Sequence, residues 1–468
     1  MSKNFQKIVL FLLDFVTINL AYIIYYNIRV YSGLFTVIIV PDLLSTMLIM
    51  YFYWLFWFMF VGMYREWFAF SRFDEMNVLF KVTFIGVIAL FIAIFWDDYL
   101  VGESNAQRFL IFLYWIILLG TVGLGRLILR SLQRRLLIKG IGRRNAVIIG
   151  FNKKANDMHD KILEHRELGI DVIGYITLDK NNIGKSYNNV MTIATIDEME
   201  NIINTYNIKE VIIALEYRKD ENEMLMIISK CDYKNVGIKI VPDLYDIISG
   251  SARMTHIYGF PLIDVFPQIM PVWAEKVKRM IDIASAIAIL VLSAPICFLT
   301  AIAIKLESKG PILFKQERSG LNGKPFMMYK FRSMRQDAEA KTGPVWAKKN
   351  DPRVTKVGKF IRKVRIDEIP QMINVLKGEM SLVGPRPERP VFVEKFAQEI
   401  PLYKKRLKVR PGVTGWAQVN HKYDETIEDV KMKLKYDLFY IENMSIRMDI
   451  KIMFKTAITM LFGKGHFS

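Results

Sequence analysis

Cysteine is almost missing from this chain: Cys231 and Cys297 are the only two in 468 residues, and they stand far apart. A disulfide framework is therefore excluded as the source of stability, and a reducing compartment suits the chain. A glycine-rich nucleotide turn is missing as well. The apolar run Ala146-Val147-Ile148-Ile149-Gly150 reads as a buried strand, but the turn after it is Gly150-Phe151-Asn152-Lys153-Lys154. That turn lacks the G-x-G-x-x-G glycines that let a backbone approach a pyrophosphate, which argues for a structural or regulatory domain over a dinucleotide site. The opening apolar run is too long for a cleavable signal peptide, and no small-residue cleavage site follows it. No DNA- or RNA-binding signature accompanies the basic charge, which disfavours a nucleic-acid partner.

What is present is apolar and basic. Hydrophobic residues make up 52% of the chain and aromatics 13%, more than a soluble protein carries. The formal net charge is +18 and lies at one end: 37 of the 64 Lys/Arg but only 20 of the 46 Asp/Glu stand from Val272 onward. A basic region beside apolar runs points to anionic lipid, nucleotide or phosphate partners.

Four apolar stretches, residues 8–30, 43–63, 78–96 and 109–129, each have the length of a bilayer-crossing helix, so residues 1–135 read as a four-helix transmembrane bundle. Lys3 and Lys7 precede the first; Arg65, Arg72 and Lys81 mark the second loop; Arg126, Arg130, Arg134, Arg135, Lys139, Arg143 and Arg144 cluster at the end of the fourth. The other loops carry little positive charge. The positive-inside rule then puts the N-terminus and everything after Leu129 in the cytoplasm. Over residues 143–250, short apolar runs at 146–150, 171–178, 190–194, 210–215 and 237–242 alternate with helical patterns at 153–168, 196–206 and 221–233. This alternation predicts a parallel, Rossmann-like α/β domain. Residues 251–271 read as a connector, and 272–468 as an α-rich mixed α/β domain.

That last domain opens with a fifth apolar segment, 281–304, basic on both flanks. Pro295 inside it removes a helix hydrogen bond, and Ser293 is placed to satisfy a freed backbone group. The expectation is a re-entrant hairpin helix over about 277–305 that dips into the cytoplasmic leaflet and returns. A kinked fifth span is the alternative.

Basic residues then recur in short motifs. A strand over 327–334 would put Lys330 and Arg332 on one face, able to address a common anion. Arg353 follows the turn Asn350-Asp351-Pro352, and Arg362 stands just ahead of the adjacent acids Asp367 and Glu368. Pro370 suits the first turn of a helix that Gly378 would end. An acid pair at a helix start is either an ordinary cap or a site: such a terminus favours ionised carboxylates or a bound phosphate. Adjacent residues point apart, so one acid can face substrate and the other a metal. Arg386, between Pro385 and Pro387, suits bidentate phosphate binding. The run from Arg410 through Gly415 to Gln418 and Asn420 repeats the theme of a fixed arginine with glycines and polar groups. Residues 444–462 read as an interfacial helix on anionic lipid or as an amphipathic core helix.

Lys330-Phe331-Arg332-Ser333-Met334, Gly343-Pro344-Val345-Trp346-Ala347, Asp367-Glu368 with Pro370-Gln371, Gly384-Pro385-Arg386-Pro387, and Arg410-Pro411-Gly412-Val413-Thr414-Gly415-Trp416 occur in order over roughly residues 276–465. Together they resemble the bacterial polyprenyl-phosphate sugar-1-phosphate transferases, in the long form with four spans and a Rossmann-like middle domain. The resemblance implies a Mg²⁺-dependent transfer of sugar-1-phosphate from a nucleotide-diphosphate sugar, most often a UDP-hexose, to undecaprenyl phosphate. It would prime O-antigen, capsule or exopolysaccharide synthesis at the bacterial inner membrane. It further implies Asp367 as nucleophile, forming a covalent aspartyl phospho-sugar, and Glu368 as the residue holding Mg²⁺. Lys330, Arg332, Arg353, Arg362, Arg386, Arg410 and Gln418 are the residues expected to bind substrate, and Ser293 and Pro295 to break the hairpin. Val364-Arg365-Ile366 and His421-Lys422-Tyr423 depart from the commonest family pattern. A homodimer through the middle domain is the oligomer considered. A membrane-anchored nucleotide-sugar dehydratase or epimerase is the competing enzyme class, but it needs a second dinucleotide fold with a glycine-rich turn and a Tyr-x-x-x-Lys pair, and neither stands after Val272.

Overall fold

Long apolar runs in water would be insoluble as single helices, and in this chain they pack against one another. In the computed structural model, α1 (Lys3–Tyr31), α2 (Leu43–Val61), α3 (Arg72–Val101) and α4 (Leu110–Ile138) bury a shared core around Ile18, Trp54, Phe58, Tyr114 and Leu118. The structure describes residues 3–33, 42–64, 72–101, 109–215, 221–231, 236–243, 254–257, 260–265, 270–335, 353–420 and 426–462. The strings Gly343–Ala347, Asn350–Pro352 and His421–Tyr423 lie outside them. Two compact units emerge, Met1–Pro267 with Pro271–Trp273, and Gln268–Met270 with Ala274–Ser468.

Polar groups inside the helix bundle find partners across helices, as an apolar solvent demands. Trp54 Nε1 donates to Tyr114 Oη at 2.9 Å, and Trp115 Nε1 to Thr83 Oγ1 at 3.0 Å. Arg126 is fully buried. It spans Asp14 of α1 (Nη2 to Oδ2, 2.6 Å) and Glu75 of α3 (Nη1 to Oε1, 2.8 Å), while Arg130 closes on the other oxygen of Glu75 at 2.5 Å. Two acids and two arginines thus cancel inside the bundle. The fourth helix runs on well past Leu129, to Ile138, and its Arg134 reaches Glu167 beyond the bundle at 2.9 Å.

The α/β region of this unit follows the alternation in the sequence. β1 (Arg144–Ile149) pairs in parallel with β2 (Ile170–Thr177) and β5 (Glu210–Ile213); β4 (Val190–Thr195) joins β2, and β6 (Gly237–Ile240) joins β5. β1 and β5 lie mid-sheet and are apolar along most of their length because both faces are covered. Helices α5 (Lys153–Glu164), α6 (Met199–Thr205) and α7 (Glu221–Cys231) lie between strands in the chain. A short β3 (Ser186–Tyr187) caps one edge. The other edge corrects the reading of 251–271 as a plain connector. Met254–Ile257 (β7) and Phe260–Asp264 (β8) form antiparallel strands, β8 against β6, and complete an eight-stranded sheet. The Gly150 turn is filled by its own side chains. Asn152 Oδ1 caps α5 by accepting from Ala155 N at 2.8 Å, its Nδ2 donates to Ala214 O at 2.9 Å, and Lys154 pairs with Asp243.

The first helix of the second unit is α8 (Val272–Glu307), which belongs to it from Ala274 onward and is one of five described helices long and apolar enough to cross a membrane. Pro295, where a hairpin break is expected, does not interrupt the helical pattern: 36 successive residues are helical through the proline, a contour of about 54 Å. Ser293 does not serve the carbonyl that Pro295 leaves free, which belongs to Val291. Its Oγ donates instead to Ile289 O at 2.6 Å, the usual back-bond of a helical serine. The middle of α8 exposes Val291, Leu292, Phe298 and Leu299, whereas its two ends are tied down. Near the start, Asp282 accepts from Ser381 Oγ (2.8 Å) and Leu382 N (3.1 Å); near the end, Glu307 accepts from Lys356 N (2.7 Å). The rest comprises the antiparallel hairpin β9 (Leu313–Ser319) and β10 (Pro325–Phe331), α9 (Lys356–Lys363), α10 (Gln371–Lys377), β11 (Ser381–Val383), α11 (Pro390–Glu399), β12 (Gly412–Thr414, parallel to β11), α12 (Trp416–Asn420), α13 (Ile427–Glu442) and α14 (Ile446–Phe462).

Candidate active site

Three segments meet at the acid pair. Asp367 and Glu368 occupy a 3₁₀ turn, Ile366–Glu368, immediately before α10. Arg365, which enters the turn, has φ +61°, a left-handed conformation that a non-glycine residue adopts at a cost of order 1 kcal/mol or more. At the far end, Gly378 takes φ +82° and stops α10 as its position in the sequence implies.

β10 brings the lysine. Asn374 of α10 is fully buried and imitates a neighbouring strand: its Oδ1 accepts from Tyr329 N (3.0 Å) and its Nδ2 donates to Met327 O (2.8 Å). This one side chain registers α10 on β10 and so sets Lys330 against Glu368, Nζ to Oε1 3.0 Å. The Pro385-Arg386-Pro387 loop brings the arginine. Arg386 Nη2 donates to the same Oε1 at 2.8 Å, and Arg365 lies 3.8 Å from the other oxygen. Four successive carbonyls of that loop are held. Pro385 O accepts from Gly412 N (2.9 Å), Arg386 O from Arg406 Nη2 (2.9 Å), Pro387 O from Arg318 Nη1 (3.1 Å) and Glu388 O from Ser319 N (2.9 Å). Gly384 lets the loop close on β12, because a Cβ there would stand 2.4 Å from Arg410 O.

The two carboxylates are electrically unlike. Burial works against charge on Glu368, but Lys330, Arg386 and Arg365 outweigh it and hold the group far below the usual carboxylate range. Asp367 is buried and makes no hydrogen bond or ion pair among the described residues. Burial and the neighbouring Glu368 push its pKa up, against the pull of Lys330, Arg362 and Arg365. Lys330 is itself pushed down by burial, with Glu368 opposing. One acid is thus clamped and the other is free, buried and basic for a carboxylate. Environments that drive the pKa values of adjacent acids in opposite directions mark functional sites.

Residues 273–463 match the family model described as bacterial sugar transferase, and residues 59–242 match one described as CoA-binding domain. A UDP-glucose:undecaprenyl-phosphate glucose-1-phosphate transferase of Klebsiella pneumoniae is 33% identical over 77% of both chains. The chain belongs to the bacterial sugar transferase family. Other sugar transferases match a shorter stretch. A UDP-N-acetylgalactosamine-undecaprenyl-phosphate N-acetylgalactosaminephosphotransferase of Aeromonas hydrophila is 43% identical over 51% of this chain and 55% of its own. A UDP-glucose:undecaprenyl-phosphate glucose-1-phosphate transferase of Escherichia coli is 40% identical over 49% and 50%. The chain spans about half the length of these two curated relatives.

Not every motif residue gathers at the acids. Arg332 does not share an anion with Lys330. It is buried at the end of α8, donating to Ser308 O (2.7 Å), Lys309 O (2.9 Å) and Ile304 O (3.4 Å), because the last carbonyls of a helix need donors. Arg410 Nε donates to Gly378 O at 3.1 Å, closing the end of α10. Arg362 Nε donates to Ser333 Oγ at 2.8 Å and remains within electrostatic reach of Asp367. Arg353 anchors a backbone bridge, its carbonyl accepting from Arg335 N at 3.0 Å. Gln418 donates to Val413 O at 3.2 Å, while its buried Oε1 has no partner among the described residues. Sequence reasoning missed Asn374, Arg406 and Arg318. An asparagine inside the otherwise apolar Met372–Leu376 stretch was the one available signal.

Proposed function

We propose that the chain transfers a sugar-1-phosphate from a nucleotide-diphosphate sugar, a UDP-hexose, to undecaprenyl phosphate, priming surface-polysaccharide synthesis. The observation carrying this is the unpaired Asp367 carboxylate beside a Glu368 clamped by Lys330 and Arg386. An Asp367 oxygen attacks the sugar-bearing phosphorus. The bond from that phosphorus to the bridging oxygen breaks, and its electron pair leaves with the nucleoside monophosphate. A phosphate oxygen of the lipid then attacks the same phosphorus, the aspartyl bond breaks, and the carboxylate is restored. Two half-transfers let a water-soluble donor and a lipid acceptor use one site in turn.

Repulsion between carboxylate and diphosphate is offset by the cations resting on Glu368. Lys330 and Arg386 would turn to the incoming phosphates, and Arg362 flanks Asp367. Among the described residues no cluster of three or more Asp, Glu, His or Cys forms a metal cage. The acid pair nevertheless fits Mg²⁺, which is commonly held by one or two carboxylates together with substrate phosphates. Glu368 would be its ligand, and the ion would supply charge neutralisation on the diphosphate. The free oxygen of Gln418 suits a hydroxyl donor on the ligand.

The reading places α1–α4 across the bacterial inner membrane and the site on the cytoplasmic side, from the basic clusters already described. α8 would enter the inner leaflet and return, since both its ends are anchored on one compact unit while its apolar middle is bare. α14 would lie on the membrane surface, exposing Ile450, Phe454 and Ile458. Labelling a Lys305→Cys protein, in a background without Cys231 and Cys297, by an impermeant thiol reagent on intact cells tests this; external labelling contradicts it. The function itself is tested with purified protein, radiolabelled UDP-sugars, Mg²⁺ and undecaprenyl phosphate. A lipid-soluble label is expected with at least one sugar, and its absence with all of them would sink the reading.

A further inference from the structure

The acid pair is mounted on the last turns of α8, and one carboxylate there has no role in the chemistry above. Cys297, Ala301 and Ile304 of α8 share an apolar cluster with Phe331, Ile361 and Ile366. Each of the last three is the chain neighbour of a site residue: Phe331 of Lys330, Ile361 of Arg362 and Ile366 of Asp367. Arg332, on the other side of Phe331, closes the end of the same helix through Ile304 O and Ser308 O. The end of α8 is therefore the platform that carries Asp367 and two of the cations acting on it.

Glu307 is the last residue of that helix. Its carboxylate is exposed and has Lys305 and Lys309 near it in the chain, yet its oxygens go to the backbone of α9. Oε1 accepts from Lys356 N at 2.7 Å and Oε2 from Val357 N at 3.1 Å. Thr355 takes the next two amides, its Oγ1 accepting from Gly358 N (2.9 Å) and its carbonyl from Lys359 N (2.8 Å). The first amides of a helix have no partner inside it and carry partial positive charge, so an ionised carboxylate suits them. Gly358 packs so closely on the chain after β10 that a Cβ would stand 2.0 Å from Ser333 O. At the far end of α9, Arg362 Nε donates to Ser333 Oγ at 2.8 Å, and its charge acts on Asp367.

We infer that Glu307 is a positioning residue for the transfer: by tying the start of α9 to the end of α8, it holds Arg362 beside Asp367. The inference rests on the transfer reaction proposed above. Glu307 itself makes and breaks no bond. α9 has only 8 residues, and a helix that short is marginal without tertiary contacts, so its placement depends on what grips its ends. A carboxylate bound to the first two amides fixes both the position and the rotation of α9, and the guanidinium at the other end inherits that placement. With the tie removed, Arg362 no longer meets the charge that develops as Asp367 attacks. Lys330 and Arg386, which turn to the incoming phosphates, are held by other contacts and keep their places.

The test uses the full chain in nanodiscs and measures single-turnover release of nucleoside monophosphate from the radiolabelled UDP-sugar, with Mg²⁺ and without lipid acceptor. Glu307→Ala, an exposed change that keeps the fold, is expected to lower the maximal rate about tenfold, a part of the roughly 10²–10³ that follows complete loss of one such contact. The half-saturating concentration of nucleotide sugar should stay within about twofold of wild type. Glu307→Gln keeps an acceptor oxygen for the amides and should recover most of the rate. The decisive comparison is made in Arg362→Met protein, where adding Glu307→Ala should cost less than about a further twofold, because the group it positions is already gone. A wild-type rate in Glu307→Ala protein overturns the inference. So does a further loss of about tenfold on top of Arg362→Met, since the carboxylate would then act by another route. In both cases lipid-linked product from the wild type leaves the transfer reaction standing, whereas its absence from the wild type overturns that reaction and the positioning role together.

Discussion

Replacing Lys330 by methionine probes the relation between the two acids. In the native site Glu368 Oε1 accepts charge-assisted bonds from Lys330 at 3.0 Å and Arg386 at 2.8 Å, with Arg365 standing 3.8 Å from Oε2. Deleting one charged bond to a buried carboxylate costs about 1.5–3 kcal/mol, and the two arginines that remain put the loss near ~2 kcal/mol. In a unit of this size that is a fall of roughly 4–8 °C in Tm, enough to measure and too little to unfold the domain. Turnover should fall about 10²–10³-fold, as for removal of one preorganised electrostatic contact. The diagnostic readout is the pH profile. In the proposed mechanism Asp367 must be ionised to attack, and burial with the Glu368 charge already lifts its pKa. Its rate should therefore fall, as pH drops, at a value above that of an ordinary carboxylate. Lys330 is a cation that pulls this pKa down, so Lys330→Met should move the acid limb of kcat/KM to higher pH, and Lys330→Arg should move it back. A large loss of rate with the limb unmoved would refute the idea that Lys330 keeps Asp367 ionised.

The remaining predictions concern the support of the site and of the bundle. Glu388, in the same loop as Arg386, is held at a pKa of about 2 by Lys433, Arg406 and Arg318 against the effect of burial. Its contribution is present above the unfolded value near 4.5 and lost as pH falls toward 2; the gap is worth ~3 kcal/mol, so Glu388→Gln should lower Tm at pH 7 and lose most of that effect by about pH 2. Equal destabilisation at both pH values would contradict it. Arg126→Leu leaves Asp14 and Glu75 buried without their shared partner and should cost about 3–5 kcal/mol, seen as a lower unfolding midpoint in detergent, with Asp14→Asn in the same chain recovering some of it. No change would mean that water reaches the cluster.

Much of the architecture could be read from one-dimensional pattern because the forces there are local. Apolar length predicts the helices of the bundle, and the alternation of short apolar runs with helical stretches predicts the order β1-α5-β2 and its continuation. Gly378 marks a helix end because few other residues adopt its backbone. What escaped was set by contacts remote in sequence. Arg332 looked like a partner of Lys330 by strand spacing, yet the free carbonyls of α8 claim it. Residues 254–264 looked like a connector, since nothing in their composition announces the open sheet edge at β6. The pairing of Asp14 with Arg126 joins positions on α1 and α4, and Asn374 acts on a strand far from it in sequence. At the acid pair the residue types were evident, but the division of labour was not. Which acid is clamped and which is free depends on the clamp from Lys330 and Arg386, and only the folded chain shows it.

Mass spectrometry of the peptide carrying residue 367, after mixing the enzyme with nucleotide sugar and Mg²⁺ in the absence of lipid acceptor, addresses the mechanism at its root. The account predicts a hexosyl-phosphate mass increment on Asp367, stoichiometric release of nucleoside monophosphate, and loss of both in Asp367→Asn protein that still folds. Normal lipid-linked product with no such adduct, or an adduct on another residue, would contradict it.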